Sequence, residues 1–158
     1  GRATARPRSF GDRRMSRKKS AARVLALQAL YQHDLLGDPF IEEADAFFRE
    51  AAKHPEDVEI AAALFRGCLE HREELDRRIG AAAERWRLER IATVDRAILR
   101  LGAYEICCTP DVPGKVAINE AIRLAKKYST ADSGGFVNGI LDRIMSETSQ
   151  QSNVPQRE

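Results

Sequence analysis

The chain has 158 residues, enough for one domain with a substantial core, and no stretch approaches the roughly 20 consecutive apolar residues of a membrane span. Aromatics make up 6% of it, and no Val/Ile/Thr run alternates with period two, so the pattern argues against a β-sheet and an all-α protein is expected. The formal net charge of +2 hides an asymmetry: residues 1–20 hold eight basic side chains against Asp12 alone, which leaves 18 basic and 23 acidic residues for the body.

Residues 1–16 read as a basic, flexible arm, because they lack the periodic apolar positions of a packed helix, and Met15 is a candidate natural start. A body spans 17–147, and 148–158 reads as a polar tail. The first helix is expected from Ser20, placed as its N-cap, to Leu36. Its apolar positions Val24, Leu27, Leu30, Tyr31 and Leu35 form one stripe, with Leu25, Ala29 and Leu36 on another side, so it must be covered on more than one face. Arg17, Lys18, Lys19 and Arg23 crowd its start. Cations are unfavourable at the positive end of a helix dipole, so the cluster has no local structural reason and points to phosphates.

Gly37-Asp38-Pro39 ends that helix, and a second runs from about Ile41 to Lys53 until His54-Pro55 stops it. A third opens at Asp57 and carries Val58, Ala61, Ala62, Phe65, Cys68 and Leu69 at helical spacing. From His71 to Arg90 the pattern is charged; it either ends near Gly80 or continues, kinked, through Trp86 and Leu88. Val94, Ala97, Ile98, Leu101, Tyr104 and Cys108 mark the next helix, ended by Thr109-Pro110. Arg96 and Arg100 stand one turn apart, away from that stripe, where an Arg pair ordinarily solvates a face. Two further helices follow, one through Val116, Ala121, Leu124 and Tyr128, the other through Phe136, Ile140 and Ile144. About seven helices with short connections predict a helical bundle of two packed sub-bundles.

The residues offer little to catalysis. His33, His54 and His71 are scattered, there is no Gly-rich phosphate loop or nucleophile elbow, and no cofactor is expected. Three cysteines cannot make a disulfide framework, and Cys68 with His71 lacks the further ligands zinc requires, so no metal is expected either. No apolar run of signal-peptide type follows the basic residues, which makes the cytoplasm the default. The short polar loop between the last two helices places Lys127, Asp132, Phe136 and Asn138 where RNA could meet them. By spacing alone, Phe136 packs in the core.

Three strings carry a resemblance. They are Arg17-Lys-Lys-Ser-Ala-Ala-Arg-Val-Leu-Ala-Leu-Gln-Ala-Leu-Tyr31, Val94-Asp-Arg-Ala-Ile-Leu-Arg-Leu-Gly-Ala-Tyr-Glu105, and Asp111-Val-Pro-Gly-Lys-Val-Ala-Ile-Asn-Glu through Phe136-Val-Asn-Gly-Ile-Leu-Asp142. Together they resemble the bacterial transcription antitermination factor NusB family, over about Arg17 to Met145. The resemblance implies a non-catalytic RNA-binding factor. Its RNA would be the boxA element of ribosomal RNA leader transcripts. Its protein partner would be the small-subunit ribosomal protein NusE, within an antitermination complex on RNA polymerase.

Carried over by position, it makes Arg100 a phosphate or base contact and Phe136 a stacking residue. It gives Tyr31, Leu35, Glu89 and Asp95 as the surface for the basic ribosomal protein. The net negative body agrees with a basic partner on independent grounds. Two departures weaken the RNA side: Ser20-Ala21-Ala22 stand where some members carry a denser Arg run, and Gly134-Gly135 replace bulkier or basic residues. Competing readings are a detached helical RNA-binding module like those of ribosomal RNA methyltransferases, and a self-associating interaction protein, since some members are homodimers.

Overall fold

The structure, a computed structural model, describes residues 10–152, and side chains from 19 to 149. Seven α-helices make up the described chain: α1 (Phe10–Leu36), α2 (Pro39–Ala51), α3 (Pro55–Glu70), α4 (Arg72–Ala83), α5 (Thr93–Cys108), α6 (Gly114–Tyr128) and α7 (Ser133–Ser152). Among the described residues there is no strand.

The punctuation follows elementary backbone chemistry. Gly37 ends α1 with φ of +80°, its N–H donating to the His33 carbonyl at 2.8 Å. Pro39 and Pro55 open α2 and α3, where the N–H that proline lacks would have no helical partner anyway. Ser20 is not the cap expected of it. The helix starts ten residues earlier, at Phe10, because Arg13 to Lys19 contains good helix formers and no breaker. Ser20 Oγ instead donates to Glu120 Oε2 on α6 at 3.2 Å. At the other end α7 continues to Ser152, through the start of the expected tail.

α1, α2 and α3 pack together around Phe40, Phe48 and Phe65, whose rings meet edge to face at 5.9 to 6.0 Å. α4, α5, α6 and α7 form the second group. α5 joins the two, touching α1 and α3 on one side and α4, α6 and α7 on the other. Accordingly Ala97, Ile98, Leu99, Leu101 and Ala103 are all buried, a distribution that runs around the helix and not along one stripe. Close approach has a residue-level cause: a Cβ at Gly102 would stand 2.7 Å from Leu141 Cδ1 of α7.

The charged stretch after His71 resolves into α4 and a break. Gly80 lies within α4, and the helix stops at Glu84, whose φ of 46° takes the chain into the left-handed region. A connection containing the 3₁₀ turn Leu88–Arg90 then leads into α5.

Candidate RNA and protein interface

The expected phosphate contacts separate into two kinds. Arg23 is buried, 3% exposed, and donates through Nε and Nη2 to both carboxylate oxygens of Glu105 at 2.7 and 2.8 Å, with Glu120 3.7 Å from Nη1. Burial disfavours its charge, but the hydrogen bond and field of Glu105, helped by Glu120, outweigh that and hold its pKa above the ordinary value. Arg23 is therefore a bolt between α1 and α5, inaccessible to a phosphate. Arg100 is likewise enclosed. It donates to Asp76 Oδ1 and Oδ2 at 2.8 and 3.2 Å and lies 3.6 Å from Asp34, so the solvated Arg face expected on α5 is covered by α1 and α4.

Other members of the set are available. Lys19 is partly exposed and, among the described residues, contacts the exposed Asp111 at 3.4 Å. The side chains of Arg17 and Lys18 lie outside the described residues. Lys127 is exposed, its Nζ 5.3 Å from the Tyr128 ring centroid. Both line a groove of about 680 Å³ with Gln28 of α1 and Lys53 and His54 of the α2–α3 junction. Asn138 is exposed at the start of α7.

Phe136 is half-buried against the core and meets Trp86 edge to face, centroids 6.1 Å apart and planes at 76°. Trp86 itself is 54% exposed. Sequence reasoning passed over it because periodicity fails in the α4–α5 connection; the available signal was an aromatic set among Arg85, Arg87 and Arg90.

On the expected protein-partner surface, Leu35 is 58% exposed at the end of α1, and Tyr31 is half-buried one turn earlier. Leu36 and Ile41 are also exposed large apolar residues, around the α1–α2 turn. Glu89 is exposed nearby, and its position has a cause. Arg96 donates to Asp34 Oδ2 at 2.7 Å and to the carbonyls of Leu88 and Glu89 at 3.4 and 3.2 Å, tying the connection to the end of α1. Burial pushes the Asp34 pKa up, but the hydrogen bond and field of Arg96, with Arg100 adding to them, leave it below the ordinary value of 3.8.

Asp95 departs from expectation. It is 8% exposed, in the first turn of α5, and accepts from Ser133 Oγ at 3.0 Å. Ser133 Oγ also lies 2.8 Å from Ser129 Oγ and 2.9 Å from Thr130 Oγ1, so Asp95 anchors the α6–α7 loop from inside. It is not exposed on the expected protein-partner surface.

Seven helices packed on one core define an all-α helical bundle. The model of the NusB family matches residues 20–146, and the chain belongs to that family. It is 51% identical over 139 residues to the transcription antitermination protein NusB of Symbiobacterium thermophilum, covering 83% of this chain and 90% of that one. The fold matches T. maritima NusB with a TM-score of 0.74 at 36% identity, over 85% of this chain and 94% of the other. It also matches a chain in a crystal structure of the antitermination factors NusB and NusE in complex with double-stranded RNA. That match has a TM-score of 0.75 at 30% identity, over 83% and 98% of the two chains.

Proposed function

We propose that this protein is a non-catalytic antitermination factor. It binds boxA-like single-stranded RNA of ribosomal RNA transcripts together with the ribosomal protein NusE, in the cytoplasm, as part of the antitermination assembly on RNA polymerase. The observation that carries the reading is the placement of the α4–α5 connection. Trp86 of that connection meets Phe136, and three residues later the Glu89 carbonyl is tied through Arg96 to Asp34, the residue before Leu35. This supports a reading in which one connection links the residues proposed to stack on RNA with those proposed to dock the protein, so that the two binding events can be coupled.

In this reading the RNA follows the cations Arg17, Lys18, Lys19 and Lys127 and reaches Phe136 and Asn138. Tyr31, Leu35 and Glu89, with Leu36 and Ile41, receive the basic partner. Among the described residues no helix is long and apolar enough to cross a membrane. The exposed leucines at the end of α1 equally suit a second copy of the chain, which would compete with NusE for that patch.

The test is a titration of labelled boxA-like RNA and a scrambled control, with and without NusE, at two salt concentrations. Selective binding that tightens with NusE supports the reading. Equal, salt-erased binding to both RNAs would leave only a nonspecific polyanion clamp. Light scattering over a dilution series, with and without NusE, reads whether self-association and partner binding exclude each other.

A further inference from the structure

A cleft of about 340 Å³ opens between the α4–α5 connection and the start of α7, lined by Trp86, Arg90, Asp95, Thr130, Asp132 and Phe136. Its volume lies near the lower bound of small-ligand sites, about 300 Å³. At its wall the Asp95 carboxylate is incompletely satisfied: Oδ2 accepts from Ser133, but Oδ1 is buried and has no hydrogen-bond partner among the described residues. A buried acceptor in that condition is costly unless something supplies a donor. Above it stands Trp86, half uncovered, with Phe136 against it edge-on and not stacked.

We propose that this cleft is a subsite for one guanine nucleotide of single-stranded RNA, Trp86 taking the face of the base, Asp95 Oδ1 the N–H donors of its Watson–Crick edge, and Arg90 a flanking phosphate. The inference rests on the RNA-binding reading and adds to it a residue that selects the base. Guanine is singled out by donor geometry. It offers N1–H and N2–H side by side, and both can converge on Oδ1, the one oxygen that Ser133 leaves free. Adenine and cytosine offer one amino group beside a ring nitrogen that would oppose Asp95, and uracil offers one N–H between two carbonyls.

A cationic side chain from a protein partner would also suit Asp95 and Asp132, but it fits the surroundings less well. Arg90 lines the cleft, and Arg85 and Arg87 are exposed on the same connection. None of the three forms an ion pair among the described residues, while nearby Glu84 is occupied by Arg143 at 2.7 Å. Three uncommitted guanidiniums repel a cation and attract a phosphate.

Trp86 is the only tryptophan of the chain, so its fluorescence reports the site directly. The full chain is titrated with a uridine-rich single-stranded RNA carrying one guanine, and with the same RNA carrying inosine or adenine there. Fluorescence anisotropy of the labelled RNA is followed beside tryptophan emission. The guanine RNA should quench Trp86 and bind about tenfold more tightly than the adenine RNA, with inosine between them. Asp95→Asn should erase most of that preference, and Trp86→Leu should weaken all three RNAs. Asp95→Asn could loosen the α6–α7 loop, so its helical content and melting are compared with the parent, and Trp86→Leu, at an exposed position, stands as the independent variant.

RNA binding without base preference, or with Trp86 emission unchanged, would overturn the inference and leave the RNA-binding reading standing. Absence of binding by anisotropy would overturn both. Quenching of Trp86 by NusE but not by the guanine RNA would assign the cleft to the protein partner and overturn the inference.

Discussion

Arg96 donates to Asp34 at 2.7 Å, and the same guanidinium holds the carbonyls of Leu88 and Glu89, so one side chain joins the end of α1 to a connection with little regular structure of its own. Arg96→Ala should destabilise the fold by about 1.5–3 kcal/mol, the usual range for hydrogen bonds to charged groups. On the proposed function it should also weaken binding of the protein partner, because the Glu89 segment loses its tie to Asp34 at the end of α1. Urea denaturation and a NusE titration measure the two effects; loss of stability with unchanged partner affinity would show that the connection is positioned by other contacts.

The Asp34 pair gives stability a defined dependence on pH. The folded pKa lies below the ordinary 3.8, so the folded state favours the ionised form. This contribution is fully present above the unfolded value and is lost as pH falls through the lower folded value. Asp34→Asn should therefore lower stability at neutral pH, and the gap to the parent should narrow below pH about 3.8. Denaturation midpoints across the acid range test it. A gap that stays constant would mean that Asp34 does not titrate as described.

The Arg23–Glu105 pair makes a sharper case, with side-chain exposures of 4% and 3%. Arg23→Ala should cost about 3–5 kcal/mol by leaving Glu105 buried without its partner. Replacing both residues, as Arg23→Met with Glu105→Leu, should recover much of the loss. That folded double variant should bind RNA as the parent does. A selective loss of RNA affinity there would return Arg23 to the phosphate-binding set.

Gly67 of α3 tests the packing of α3 on α5. A Cβ there would fall within the Tyr104 ring, so Gly67→Ala must expel that ring from its place beside His71. A destabilisation of about 1–3 kcal/mol is expected, in the range of overpacked sites. Gly80→Ala is the control, since nothing lies within 4 Å of its Cβ position. There the better helix propensity of alanine should stabilise by about 0.5–1 kcal/mol.

At the exposed end of α1, Leu35→Asp should change stability by no more than about 0.5 kcal/mol. It should nonetheless weaken the protein partner by about tenfold, as loss of an apolar anchor does, and leave binding of RNA alone unchanged. An unaltered NusE affinity would move the docking surface elsewhere.

What could be read from the residues divides along physical lines. Helix positions followed from apolar spacing and from Gly and Pro, because both act within a few residues of chain. The enclosure of Arg23 and Arg100 was not legible because burial of a charge is decided by a partner far off in sequence: Glu105 stands 82 residues from Arg23, and Asp76 stands 24 from Arg100. The enclosure of Asp95 was hidden for the same reason, depending on Ser133 across the fold. Trp86 was overlooked where helical periodicity lapses, and only its contact with Phe136 draws notice to it.

α1 runs unbroken for 27 residues, with the basic segment at one end, Leu35 at the other, and Arg23 bolted to α5 between them. It thus serves as a ruler. Lys19 and Leu35 are set about 24 Å apart at 1.5 Å per residue, and their rotational phase is as fixed as their distance. One residue inserted between Arg23 and Leu35 would turn the two ends by about 100° relative to each other, carrying the cations away from their track while leaving every charge in the sequence intact. Length variation between those two positions is therefore costly even where composition is free to drift, whereas before Lys19 the chain can lengthen or shorten without disturbing the calibration.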